Sequence, residues 1–234
     1  MVGVQWCAGL CSNPTLPTNL FAKCIYHIGV FVILVPMDAS KVVLKEVADE
    51  YESSLTIPSE KSMPQWMLMP VGLIGAGKTT VVKPLAERFG LIRLSTDEIR
   101  ELLNKRGYSY QGCKEIIIGL AKKYLDQGYS LAIDANTGSK EGLEYSAKST
   151  KAYPNVRQIF IYINPPEKFI TEKLKKYNHT WLFTDGEEAV KSYYKNREAF
   201  TLPDLAFVFE FDTSRENLEE QINEAVININ SALK

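Results

Sequence analysis

The chain has 234 residues, 45% hydrophobic and 24% charged, a balance that supports a real core in one domain plus an extension. A formal net charge of -1 gives no global attraction to nucleic acid or to an anionic membrane, while a local nucleic-acid site stays compatible with it. No apolar run is long enough to cross a bilayer, and three of the four cysteines fall in the first 24 residues, so a disulfide framework for the whole chain is excluded and a reducing, cytoplasmic compartment is expected.

Residues 1 to 36 carry one charge, Lys23, ahead of a short apolar run from Ile25 to Val35. The run has the length of a secretory signal core, but the region before it is long, nearly uncharged and without a small-residue cleavage pattern, so no signal is expected. Cys7, Cys11, Cys24 and His27 follow C-x3-C-x12-C-x2-H, which loosely matches zinc-ligand spacing across a segment poorly suited to a compact metal module. The favoured reading makes Met37 the functional start. Val43, Val47 and Tyr51 then give one helical stripe, and residues 56 to 64 read as a linker. The expected division is an N-terminal extension and linker over 1–62 and a catalytic domain over 63–234.

Trp66 to Val71 is an apolar run of strand length. Directly after it stands Gly72-Leu73-Ile74-Gly75-Ala76-Gly77-Lys78-Thr79, the G-x-x-x-x-G-K-[ST] phosphate-binding loop, followed by Thr80. Gly72, Gly75 and Gly77 let the backbone turn and bring its N–H groups, with those of Ala76 and Thr80, against phosphate oxygens. Lys78 reaches the β- and γ-phosphates of ATP as a point charge, and the Thr79 hydroxyl ligates Mg²⁺. A helix runs to Phe89 and stops at Gly90, its positive end aimed at the phosphates; Pro84, beyond its first turn, predicts a kink.

Leu91–Ser95, Tyr129–Ile133, Val156–Ile163 and Leu205–Phe211 read as further strands, with helices between them and a last helix from Arg215 to Asn230. Alternating strands and helices predict an α/β fold: a parallel five-stranded sheet with helices on both faces, the three-layer P-loop NTPase architecture with a short lid at 178–186. Ligands of such sheets sit at the strands' carboxyl ends, which places Gly72, Ser95, Asp97, Asp134 and Asn164 around one crevice.

Ser95-Thr96-Asp97-Glu98-Ile99-Arg100 allows two readings. Ser95 and Glu98 can form a capping box, with Asp97 and Arg100 a surface ion pair. Alternatively Asp97 accepts the proton of an acceptor hydroxyl and Arg100 binds phosphate or acceptor. Asp134, at a strand end, suits Mg²⁺ or its waters, and Asn136 or Thr137 is the expected cap of the next helix. Of Lys173, Lys175, Lys176, Lys191, Lys195 and Arg197, which flank the lid, most are expected on solvated faces, with one or two cations closing over the phosphates. Arg197 is the expected phosphate ligand because its planar fork suits the group. His179 is expected at the surface.

Gly72 to Thr80, Asp97-x-x-Arg100 and Asp134-Ala135-Asn136-Thr137 together resemble P-loop kinases of the AAA-domain group. That group is close to phage polynucleotide kinase, the zeta-toxin sugar kinases and the adenylate-kinase-like fold. The resemblance covers roughly Met67 to the C-terminus. It implies that Asp97 is the general base and that Arg100 contacts the acceptor side or phosphate. Ser192 to Glu198 is similar to the helix after the lid in polynucleotide kinases. Two departures stand out: the family's D-A-T-N has its last two residues exchanged, and the segment from Asn178 to Ala189 has no arginine.

The expected activity is transfer of the γ-phosphoryl group of Mg·ATP to a hydroxyl, with Lys78, Asp97 and Arg100 as the catalytic set. Acceptors compatible with the chain are a nucleic-acid 5′ end, a nucleoside or a sugar; no membrane or obligate protein partner is expected. The alternative is a nucleotide-dependent ATPase switch without an acceptor.

Overall fold

A computed structural model describes residues 25–27, 30–32, 37–176 and 182–234. Cys7, Cys11, Cys24, the side chain of His27, and lid residues 178–181 with His179 lie outside the described residues. The backbone of β1 (Ile25–His27) pairs antiparallel with β2 (Val30–Val32). α1 (Lys41–Ser53) forms where its apolar stripe predicts it, with the Ser40 hydroxyl accepting from the Val43 N–H at 3.4 Å.

From there strands and helices alternate: β3 (Trp66–Val71), α2 (Lys78–Phe89), β4 (Ile92–Ser95), α3 (Thr96–Lys105), α4 (Cys113–Asp126), β5 (Leu131–Asp134), α5 (Lys140–Ala152), β6 (Arg157–Ile163), α6 (Glu167–Lys175), α7 (Gly186–Ala199), β7 (Phe207–Phe211) and α8 (Leu218–Leu233). The last five strands form one sheet in the order β4-β5-β3-β6-β7, every neighbouring pair parallel. Parallel pairing follows from the helical crossovers, which return each strand to the same end of the sheet.

All six residues of β3 are buried, as a strand covered on both faces requires. Successive side chains point to opposite faces. Trp66 and Leu68 enter one core with Val81, Val82 and Leu85 of α2 and Ile222 and Ile229 of α8. Met67, Met69 and Val71 enter the other with Ile99 and Leu103 of α3 and Ile116 and Leu120 of α4. Three layers result. α2 continues through Pro84 to its stop at Gly90.

The second core also contains Val47 and Tyr51 of α1, both essentially without exposure. Polar contacts reinforce the seat: Glu52 accepts from the Tyr124 hydroxyl at 2.6 Å, and Arg106 pairs with Glu50 at 2.6 Å. Packing therefore runs continuously across the expected boundary between residues 62 and 63. The stripe on α1 announces a buried face; the surface that buries it lies about fifty to seventy residues downstream and leaves no local trace.

Candidate active site

The parallel order carries the ends of β3, β4 and β5 to one edge. At the end of β3 the chain passes so close to β6 that a Cβ on Gly72 would lie 2.7 Å from the Ile163 carbonyl oxygen. Gly77 caps α2 with φ 91°, a conformation that disfavours a side chain. Buried Ala76 accepts a hydrogen bond from the Thr213 hydroxyl at 2.7 Å, tying the phosphate loop to the segment after β7. No acidic residue occupies the first turn of α2, so its N–H groups and dipole are available to an anion. Lys78 folds back under the loop, donating to the carbonyls of Gly72 at 3.0 Å and Leu73 at 2.9 Å. Burial pulls its pKa down to about 8; Asp97 and Asp134 oppose that fall, and Lys173 and Arg100 add to it.

Asp134 ends β5 as the register partner of Ser95 and is 4% exposed. One carboxylate oxygen accepts from the Thr79 hydroxyl at 3.1 Å and the other from Arg93 at 2.7 Å. Burial pushes its pKa up, against the pull of Arg93 and Thr79. The facing hydroxyl and carboxylate form an oxygen-only donor pair, which suits Mg²⁺.

α3 begins differently from its capping-box pattern. The Ser95 side chain makes no cap bond; its backbone N–H donates to the Tyr51 hydroxyl at 2.7 Å instead. Glu98 is drawn to Arg93, a stronger charged partner than a backbone N–H. Asp97 and Arg100 do form an ion pair at 2.9 Å, with both side chains reached by solvent. The same Asp97 is close enough to act on both Lys78 and Asp134. Tyr110 and Cys113 lie within the influence of Arg100 and Asp97. The Cys113 thiol donates to the Thr96 carbonyl at 3.4 Å, and burial pushes its pKa up to about 11, so it stays protonated.

Two expectations are corrected. Ser139, not Asn136 or Thr137, caps α5, its hydroxyl accepting from the Gly142 N–H at 3.1 Å. Asn136 is occupied by the phosphate loop, accepting from the Gly72 N–H at 3.4 Å, and Thr137 donates to the Pro70 carbonyl at 2.7 Å. Asn164 turns toward β7, donating to Glu210 at 3.0 Å, rather than joining the group around Asp97. Among the cations, Lys173 of α6 is exposed, as a solvated face requires, while desolvation lowers its pKa and its charge acts on Lys78. Arg197 pairs with Glu167 at the start of α6.

Comparison with known proteins agrees with this layout. A family model described as AAA domain matches residues 67–198, more than half of the chain. No curated protein matches it. Among solved structures, a sugar kinase from Janibacter sp. HTCC2649 aligns with TM-score 0.50 and 20% identity, over 71% of this chain and 95% of that one. A gluconokinase from Sinorhizobium meliloti 1021 gives 0.50 and 15%, over 74% and 95%. A chain from the PezAT toxin-antitoxin system of Streptococcus pneumoniae gives 0.51 and 17%, over 84% and 98%. At these identities the likeness is one of fold. Phosphate loop, sheet order and family match converge: the chain belongs to the AAA-domain family of P-loop proteins.

Proposed function

We propose that the chain is an ATP-dependent kinase that passes the γ-phosphoryl group to a hydroxyl of a small molecule or a nucleic-acid end. One observation carries the reading: Asp97 lies in the first turn of α3, two residues after Ser95, the register partner of Asp134, and its charge acts on both Lys78 and Asp134. A carboxylate beside the end of β5, where Asp134 meets Thr79, suits an acceptor hydroxyl that needs a base.

In this reading Gly72 and Gly75 to Thr80 cradle the triphosphate. Lys78 exchanges its two loop carbonyls for phosphate oxygens. Thr79 and Asp134 would hold Mg²⁺, which when bound neutralises charge on the β- and γ-phosphates. Asp97 parts from Arg100 to orient the acceptor and take its proton as the acceptor oxygen bonds to the γ-phosphorus and ADP departs. Arg100, thus released, pairs with phosphate. Lys173 supplies a further positive charge on the α6 side, a contribution that lid arginines would otherwise make. Arg197 remains a candidate ligand if it leaves Glu167. A reducing, cytoplasmic setting accords with the free, buried Cys113.

The test is transfer of labelled γ-phosphate from Mg·ATP across oligonucleotides, nucleosides and sugars. Label on one class establishes the kinase and its acceptor. Asp97→Asn should abolish that transfer while ATP binding persists; unchanged turnover removes Asp97 as the base. Acceptor-independent phosphate release that disappears in Lys78→Ala makes the chain an ATPase switch instead.

A further inference from the structure

Asp134 is gripped at both oxygens, and the grip continues outward. Thr79 holds one oxygen at 3.1 Å and Arg93 holds the other at 2.7 Å. The second Arg93 nitrogen pairs with Glu98. Exposure of the side chains rises along this line, from 2% at Asp134 to 15% at Arg93 and 43% at Glu98. Tyr51 of α1 stands at the far end: its hydroxyl accepts from the Ser95 N–H at 2.7 Å, and its pKa is raised by burial and in smaller part by Glu98. α1 lies outside the stretch matched by the family model.

Charge neutralisation of a buried acid would need only one cation. A guanidinium does more, because its rigid planar fork meets two carboxylates at a set angle, which a rotating ammonium does not. With Arg93 fixed by Glu98, the plane of the Asp134 carboxylate is fixed, and its other oxygen is aimed at the Thr79 hydroxyl. We infer that Arg93 is a positioning residue for the Mg²⁺ side of the site, oriented by Glu98 and braced by Tyr51. The inference rests on the kinase reading only in assigning Mg·nucleotide to Thr79 and Asp134; the acceptor plays no part in it.

Its test is the Mg²⁺ gain, the ratio of ATP dissociation constants measured by calorimetry on the full chain with EDTA and with Mg²⁺. Arg93→Lys keeps the charge and loses the fork. It should lower the gain about tenfold or more while the constant in EDTA stays within about twofold, the scale usual for residues that orient metal ligands. Glu98→Gln, at a more exposed position, should lower the gain several-fold, and it decides the matter should Arg93→Lys fail to fold. Wild-type gain in either folded variant overturns the inference: a purely structural role would lower melting temperature and leave the ratio alone. ATP binding without any Mg²⁺ gain in the wild type overturns both the inference and the metal assignment. A normal gain with no transfer to any acceptor removes the kinase reading and leaves the inference standing.

Discussion

Raising the pH through about 8 should loosen ATP, because Lys78 must be charged to hold phosphate and burial makes it an unusually weak base in the free protein. The sign follows from the two states. With a pKa of about 8, roughly nine-tenths of Lys78 is protonated at about pH 7 and roughly one-tenth at about pH 9. Bound triphosphate lies against the ammonium and restores its pKa toward or above the ordinary lysine value, so the complex stays charged across this range. Binding therefore takes up a proton at the alkaline end. Between about pH 7 and 9 the dissociation constant should rise about tenfold, equivalent to about 1.4 kcal/mol. Calorimetry across that range in buffers of differing ionisation enthalpy measures both the affinity and the proton uptake. Lys78→Met should bind weakly and lose the pH dependence. A flat affinity from pH 7 to 9, or the same slope in Lys78→Met, would refute the reasoning.

Tyr51→Phe leaves the buried Ser95 N–H without its acceptor and should cost about 1–3 kcal/mol, read as a lower midpoint in urea unfolding. Gly77→Ala forces a side chain onto φ 91° and brings a Cβ to 3.0 Å from the Thr213 hydroxyl. The strain of about 1–2 kcal/mol falls on the phosphate loop, so ATP affinity should drop about tenfold while the far-ultraviolet circular dichroism is retained. Lys173→Met removes an exposed cation whose charge acts on Lys78; turnover should fall about tenfold or more with melting temperature unchanged. An unaltered rate would return Lys173 to a surface role.

What the sequence made legible is what depends on neighbours in the chain. The phosphate loop, the run of β3 and the stop at Gly90 are backbone requirements written between Trp66 and Gly90, and each element lies where its pattern places it. The details around Asp97 and Asp134 depend on competition between distant partners. Glu98 had a local partner in the Ser95 N–H, but Arg93 offers a full charge and Tyr51 takes the N–H from 44 residues away. Asn136 had the chemistry of a cap and was claimed by Gly72, 64 positions earlier, leaving α5 to Ser139. Thr213 reaches Ala76 across 137 positions. No periodicity encodes such pairings; they appear once the sheet order is known.

The seating of α1 has a consequence for how the protein is made. The helix leaves the ribosome early, yet Tyr51 needs Ser95 and Glu52 needs Tyr124, 72 residues further on. At ordinary synthesis rates that interval is about 4–15 s. A thirteen-residue helix without its packing partner is marginal in water, so Val47 and Tyr51 wait uncovered through those seconds. The last brace on the site is thus the first segment of it to be translated, and a nascent chain that ends between residues 106 and 123 has its phosphate loop and α3 complete but not yet the Tyr124 partner of Glu52.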